Sequence, residues 1–512
     1  MNSRKQKILR ISGGEIEEDL FLSKLRDKNV VVLCHGVFDI VHPGHIEHFL
    51  QAKKRGNLLI VSVTSDRFVN KGPNRPIFDV NTRVKFLSSL EVVDFVVVAD
   101  SESAVPIIEK IKPHFYVKGG DYRQLEADAT GKIIQEKIAV ESNGGCLEFT
   151  GGFSSSSSTL INMSGEFVNS KLRDWVEGFK DKCDFELFSF WLDKVINLKP
   201  LVLGELIIDR YSYCQALSKS SKDPILAFEK LDTKSYLGGI GAIFDNLSKW
   251  SKPIGIFVKG GIKDEIDELT YSLVEKDVDI RWIIEERRKN IVKHRFVDSG
   301  SNVKLFEYYD YDPSEIKNFT VSEVIRHIKN HDPTHGPIVI ADYGHGFFTK
   351  EIIEALMVSN FFLGVNTQAN AGNRGYNTIS KYSRGDFIAL NGGELELEYR
   401  KKNLDFLQVV PEIIQIHKSR NAIVTLGSEG LIAFSSSGAF TQVPALASKV
   451  VDKVGAGDSV LAIASLLSFV GAPIEVIALA ASIVAATEVS YLGHQNNMSL
   501  LGIKRSAKGI LA

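Results

Sequence analysis

Two segments near opposite ends of a 512-residue chain carry residue types suited to phosphate chemistry: His42-Pro43-Gly44-His45 and Gly455-Ala456-Gly457-Asp458. Gly36-Val37-Phe38-Asp39 precedes the first and directly follows an apolar, strand-like run, and Gly44 opens a helical pattern. His42 and His45 therefore fall at the carboxyl end of a strand and the mouth of a helix, where open parallel sheets bind ligands. Helix-mouth N–H groups and the helix dipole favour negative charge there. Two imidazoles in that place can hold nucleotide phosphates and stabilise charge on an attacked α-phosphorus. A metal-binding or merely surface pair of histidines is the competing reading of His-x-x-His alone. In the second segment, small residues let backbone N–H groups approach a transferring phosphoryl group as an anion hole. Asp458 then stands where it can take the proton of a substrate hydroxyl, although a Gly-x-Gly turn capped by Asp is also an ordinary helix start.

The elements that must position these residues read as alternating strands and helices. Residues 30–34, 58–64 and 93–99 have strand character and are separated by amphipathic stretches, which predicts a parallel sheet flanked by helices. After a further β-rich run at 146–149 come Gly151-Gly152-Phe153 and the serines 154–158. A polar, helix-compatible segment then holds the domain boundary. The α/β pattern restarts at 201–203, with strands expected at 338–341, 361–365, 388–390 and 422–425. The apolar stretch 460–486 is interrupted by Pro473 and Glu475, so it reads as two buried helices rather than a membrane span.

Length calls for two or three hydrophobic cores. Hydrophobic residues make up 44% and charged ones 24%, and 61 Lys+Arg against 63 Asp+Glu gives no electrostatic case for nucleic acid or membrane as a partner. Cys34, Cys146, Cys183 and Cys214 are scattered, without zinc or disulfide spacing, and no apolar signal core appears before Asp19. A cytoplasmic chain with reduced thiols is expected.

The run from Gly36 to His45 resembles the signature of cytidylyltransferase-like nucleotidyltransferases. Later segments follow in the same order: Lys71-Gly72-Pro73-Asn74-Arg75-Pro76, Arg83, Val117-Lys118-Gly119-Gly120-Asp121-Tyr122 and Ser157-Ser158-Thr159-Leu160-Ile161. They are similar to the adenylyltransferase half of ADP-heptose synthases. The resemblance implies that His42 and His45 stabilise the transition state, that Phe38, Asp39 and Gly44 shape the nucleotide pocket, and that Lys71 contacts phosphate. Ser158 and Thr159 would open a helix facing the nucleoside triphosphate, with a flexible tether as the alternative for the serine run. Lys118 and Asp121 would sit in a loop close to the polyanion, with a structural turn as the alternative.

The final three-fifths resembles the ribokinase-like, or PfkB, sugar kinases. Gly204 to Asp209 is similar to the first-strand element whose Asp contacts sugar hydroxyls, Gly238-Gly239 to the diglycine beneath the sugar, and Asp342-Tyr343-Gly344-His345-Gly346 to a mid-domain substrate loop. Asn391-Gly392-Gly393-Glu394 matches an Asn-x-x-Glu associated with magnesium, acting through water, and Thr425-Leu426-Gly427-Ser428-Glu429-Gly430 an ATP-site turn. Asn391 and Glu394 fit a helix N-cap with its first-turn acid equally well. Ala242, Asn366 and Gln368 depart from the family's sugar-end residues. The amide-rich stretch 366–374 then reads as a rebuilt polar pocket or a surface loop, and Lys453 as a phosphate contact or a solvated side chain.

Together these resemblances imply an α/β chain with a Rossmann-like nucleotidyltransferase domain at 25–165, a connection at 166–198 and a ribokinase-like α/β/α domain at 199–505. The implied activity is bifunctional. A kinase uses ATP and Mg2+ on a sugar or a heptose 7-phosphate-like sugar phosphate. A nucleotidyltransferase joins a sugar 1-phosphate to a nucleoside triphosphate and releases pyrophosphate. ADP-heptose synthases carry the kinase first, and this chain has the reverse order. Synthesis of a CDP- or other NDP-activated alditol or sugar, or one domain kept as a binding or scaffolding module, are the alternatives. Similarity of 211–236 to a kinase lid implies a possible homodimer.

Overall fold

A computed structural model describes residues 8–9, 26, 28–69, 76–101, 103–119, 132–150, 170–219, 222–261, 265–274, 278–447, 450–494 and 498–511. The chain divides into two units, Met1–Arg173 and Asp174–Ala512.

In the first unit, β1 (Ile8–Leu9), β2 (Val31–Gly36), β3 (Leu58–Thr64), β4 (Phe95–Ala99), β5 (Phe115–Lys118) and β6 (Cys146–Phe149) form a parallel sheet of order β1-β4-β3-β2-β5-β6. The central strands are apolar on both faces because helices cover both. Val32, Cys34, Leu59 and Val61 pack with Phe49 and Leu87 on one side. Val31, Leu33 and Ile60 pack with Ile107, Ile108 and Val140 on the other. This period of two is the strand's own geometry.

The second unit contains two sheets. Strands β7 (Leu201–Gly204), β10 (Ile254–Gly260), β11 (Asp279–Glu285), β14 (Ile338–Asp342), β15 (Leu363–Thr367), β16 (Phe387–Asn391), β17 (Asn421–Thr425), β18 (Leu431–Ser435) and β19 (Phe440–Val443) have the order β11-β10-β7-β14-β15-β16-β17-β18-β19. Neighbours are parallel as far as β17 and antiparallel beyond it. A smaller sheet is built from β8 (Leu206–Lys219), β9 (Leu226–Gly239), β12 (Ile291–Asp298) and β13 (Lys304–Asp310), in the order β13-β12-β8-β9.

The apolar stretch near the end forms two helices, Ala456–Phe469 and Ile474–Glu488, separated at Gly471 and Pro473. Both are buried nearly all round, as an internal helix must be. Among the described residues no helix is long and apolar enough to cross a membrane. Within 166–198, expected as a linker or helical connection, lie the helices Ser170–Lys180 and Phe185–Asp193. Trp175 Nε1 donates to Gln442 O at 2.7 Å, and Lys504 pairs with Asp193 at 2.7 Å.

The two units have separate cores, and Trp250 is among the largest buried side chains of the second, with Nε1 donating to Met498 O at 2.8 Å. Trp250→Ala should cost the second unit about 3–5 kcal/mol. Differential scanning calorimetry should then show one lowered transition and one unmoved; equal shifts of both would mean the units unfold as one.

Candidate active sites

β2 ends at Gly36, and the chain turns through Phe38, at a left-handed φ of 48°, into the helix Pro43–Lys53. The Phe38 ring folds back on Gly36, where a β-carbon would lie 3.0 Å from it. That ring meets His45 edge-on with centroids 5.4 Å apart. His42 is the N-cap: its Nδ1 accepts the Gly44 N–H at 3.2 Å, and His45 Nδ1 accepts the His42 N–H at 3.4 Å. With both Nδ1 atoms accepting, each neutral ring carries its proton on Nε2. Two ring donors 4.0 Å apart by centroid therefore stand at a helix N-terminus, an arrangement suited to a phosphate.

Asp39 is buried, and its oxygens accept the N–H groups of Ile77 and Phe78 at 2.9 and 3.0 Å. Arg83, also buried, donates to Val37 O at 2.6 Å, Phe78 O at 2.9 Å and Asp66. Both residues tie the Val37–Phe38 turn to the segment after it. Lys118 Nζ lies 2.9 Å from Glu136 Oε2, so the cation expected at phosphate is ion-paired within the unit. Burial and then Lys118 lower His48 to about 4, leaving it neutral at pH 7. Lys71, Asp121, Ser158 and Thr159 lie outside the described residues.

In the second unit, Gly455 takes a φ of 87° and caps the helix Ala456–Phe469. The first N–H groups of that helix have no intrahelical acceptor, and Gly455, Ala456 and Gly457 leave them approachable. Asp458 is in the first turn, and its Oδ1 accepts from the Tyr343 hydroxyl at 2.6 Å. Burial lifts Asp458 to about 7, helped by Asp209 and Glu488 and opposed by the Tyr343 hydrogen bond and Lys293. A carboxylate so placed can accept a proton near neutral pH.

Asp209, on β8, is buried against Gly238 and ion-paired to Arg295 of β12. Alternation along β12 buries Ile291, Lys293, Arg295 and Val297 on one face, which places two cations inside. Lys293 Nζ lies over the rings of Tyr309 and Tyr343 at 5.3 and 5.4 Å, and burial pushes its pKa down. Asp452, just before the anion hole, accepts from the Tyr211 hydroxyl at 2.8 Å and Lys304 Nζ at 2.5 Å. Burial pushes Asp452 up, but Lys304 and Tyr211 hold it below the usual carboxylate range. Lys453 is exposed.

The loop after β14 is held from beneath. Glu205 accepts the N–H groups of Tyr343 and His345 at 3.0 and 2.9 Å, and burial with the nearby Asp342 holds it above the usual carboxylate range. Asp342 accepts from Gly344 N at 3.0 Å, Lys381 Nζ at 2.6 Å and the Tyr382 hydroxyl at 2.7 Å. Asp342 is only 1% exposed. The amide-rich stretch turns inward: Asn370 and Asn373 donate to Tyr343 O at 2.8 and 2.7 Å, and Asn366 donates to Ala389 O at 2.8 Å.

Asn391 and Glu394 form a capping box. Asn391 Oδ1 accepts Glu394 N at 2.9 Å, and Glu394 Oε2 accepts Asn391 N at 2.8 Å. Glu394 Oε1 also accepts Ala369 N at 3.3 Å, and burial lifts this carboxyl to about 7. Among the described residues no group of three or more His, Cys, Asp or Glu is arranged to hold a metal. Oxygens already engaged by backbone fit a magnesium ion met through water rather than ligated directly. Thr425 ends β17, and Gly427 and Gly430 bracket the following turn at φ of 59° and 93°.

Lys293, Arg295, Glu205 and Asp452 were not singled out by local sequence. Their signal is a charge on the buried phase of a strand or loop, visible only once register is known.

A cytidylyltransferase-like family model matches residues 33–162, and a pfkB family carbohydrate kinase model matches residues 198–500. Similar curated proteins include "Bifunctional protein HldE" of Syntrophotalea carbinolica, 34% identical over 132 residues covering 25% of this chain and 26% of that protein. Its counterpart in Campylobacter fetus subsp. fetus is 42% identical over 109 residues, covering 21% and 24%. This chain thus spans about a quarter of the length of the curated relatives it matches. A crystal structure of phosphofructokinase-2 from Escherichia coli in complex with potassium aligns with a TM-score of 0.49 at 14% identity, over 62% of this chain and 100% of that one.

A β-carbon on Gly238 would lie 2.1 Å from Asp209 Oδ2. Gly238→Ala must therefore displace Asp209 from Arg295, with an expected loss of roughly 3 kcal/mol. An unchanged melting temperature would show that Asp209 does not pack against this glycine.

Proposed function

We propose that this chain, which belongs to the pfkB family of carbohydrate kinases and carries a cytidylyltransferase-like domain ahead of its kinase domain, catalyses two steps of nucleotide-sugar synthesis. The kinase domain, at 199–505, transfers the γ-phosphoryl group of ATP to a hydroxyl of a sugar or heptose 7-phosphate-like sugar phosphate. The nucleotidyltransferase domain, at 25–165, attacks the α-phosphorus of a nucleoside triphosphate with a sugar 1-phosphate. It gives an ADP-heptose-like product and pyrophosphate. The resemblance of the Gly36–His45 run and the segments that follow it to the adenylyltransferase half of ADP-heptose synthases supports the heptose class.

The observation that carries the kinase reading is Asp458, half-buried in the first turn after Gly455 and hydrogen-bonded by the Tyr343 hydroxyl. Asp458 takes the acceptor hydroxyl proton as its oxygen attacks the γ-phosphorus, while the N–H groups of the Gly455 turn meet the transferring oxygens. Asp209, Gly238 and Gly239 form the sugar side, and Thr425, Gly427 and Gly430 the nucleotide side. Asn391 and Glu394 would hold a magnesium ion through water, and the ion would supply charge neutralisation at the transferring phosphates. In the nucleotidyltransferase, the Nε2–H groups of His42 and His45 donate to the α-phosphate as negative charge builds, and Gly44 N–H lies at the same helix mouth. Lys71, Ser158 and Thr159 are assigned the remaining phosphates, with Lys118 and Asp121 closing the pocket.

The two steps are separable by assay. One follows ADP formed from ATP with heptose 7-phosphate; the other follows pyrophosphate released from ATP or CTP with heptose 1-phosphate. Asp458 must be ionised to act, and its carboxyl is lifted to about 7. Kinase turnover should therefore rise with pH through about 7 and level off above it. Asp458→Asn should lower turnover by about 10²–10⁴-fold while pyrophosphate release persists. Kinase turnover retained by Asp458→Asn would remove the base assignment. Conversely, His45→Ala should slow pyrophosphate release by about 10²–10³-fold and spare the kinase; undiminished release would take His45 out of the mechanism.

A further inference from the structure

Behind the anion hole lies a buried charge cluster that the proposed steps do not use. His494 Nδ1 is 2.9 Å from Glu488 Oε1, and its Nε2 is 2.9 Å from Asp245 Oδ2. Both ring nitrogens face carboxylate oxygens that can only accept, so both must donate and the ring is an imidazolium. Glu488 is 1% exposed and ends the helix Ile474–Glu488; Asp245 belongs to the helix Ile240–Trp250, which starts at the diglycine. Lys249 Nζ lies 2.6 Å from Asp245 Oδ2, so two cations meet two carboxylates.

This cluster touches the phosphate turn itself. Glu488 Oε1 lies 3.0 Å from where a β-carbon of Gly455 would stand, and Ser459 Oγ donates to Glu488 Oε2 at 3.5 Å. Asn246 Nδ2 donates to Ser459 Oγ at 3.0 Å, closing the link from the diglycine helix to the Asp458 helix. The chain between Glu488 and His494 also reaches the turn: Val451 N and Asp452 N donate to Val489 O at 2.7 and 3.2 Å.

We propose that His494 is a positioning residue for the kinase reaction: its imidazolium pins Glu488 beneath Gly455 and so fixes the backbone turn that meets the transferring phosphoryl group. The proposal rests on the kinase reading above. A buried carboxylate without its cation is costly and must protonate or move, and either event lets the Gly455 turn relax. Displacement of reacting groups by about 1 Å lowers rates on the order of 100-fold. Burial pushes the His494 pKa down, but Glu488 and Asp245 overrule it and lift it to about 9. Asp458 itself is hydrogen-bonded by Tyr343 and interacts electrostatically with Asp209, Lys293 and Glu394.

The test compares wild type, His494→Gln and the double variant Glu488→Gln/His494→Gln. Kinase turnover is read as ADP from MgATP with heptose 7-phosphate, and the calorimetric transition of the second unit serves as the folding control. The expected result is a loss of about 10- to 100-fold in kinase turnover for His494→Gln, with most of it recovered in the double variant, which removes the stranded charge. A double variant no better than the single one would overturn the proposal.

Melting temperature against pH supplies a readout that needs no turnover. A histidine raised from 6.5 to about 9 in the folded state stabilises fully below 6.5, and that contribution is lost as pH rises through about 9. The wild-type advantage over His494→Gln should shrink across that window; a constant advantage would contradict the imidazolium. Should Asp458→Asn retain turnover while these results hold, the base assignment fails and the charge cluster stands.

Discussion

The Tyr343–Asp458 hydrogen bond is where the supports of the kinase unit converge. Tyr343 is held through its N–H by Glu205 and through its carbonyl by Asn370 and Asn373. Asp458 is held by a buried helix whose start is braced from behind. The governing constraint is burial of carboxylates at the carboxyl edge of a parallel sheet. Removing them from water raises their proton affinity, and hydrogen bonds from backbone and hydroxyl groups limit how far. Asp458 and Glu394 both settle at about 7 by this balance, while Asp452, beside Lys304, settles low.

The phosphate site proposed for the first unit rests on different physics. At its helix mouth the Nδ1 atoms of His42 and His45 accept backbone N–H groups, which leaves Nε2 of each ring as the remaining polar atom. Arg83 and Asp39, buried behind the turn, hold its shape. In the proposed reading one unit accepts a proton and the other donates hydrogen bonds to a phosphate.

Most of the fold was legible because hydrophobic period survives in sequence. The both-face apolar strands β2 and β3, and the paired late helices broken at Pro473, follow directly from it. The glycine-marked helix mouths were legible as well, since few residues other than glycine tolerate the backbone of Gly455. What stayed hidden depends on register or on distant pairing. Lys293 and Arg295 occupy the buried phase of β12, where side-chain chemistry alone assigns them to solvent. Asp342 carries a motif's position but is enclosed by Lys381 and Tyr382, and Lys118 turns to Glu136. Residues 174–193 belong to the second unit. The Asp245–His494 contact joins residues no local pattern relates.

The claim at the centre of this account is that burial holds Asp458 near neutrality. Infrared difference spectroscopy of the intact protein against Asp458→Asn, across a pH titration, observes that carboxyl directly. The account predicts a protonated-carboxyl band present at low pH, absent from the variant, that disappears with a midpoint of about 7. A band that titrates near the ordinary aspartate value of about 3.9 would contradict it.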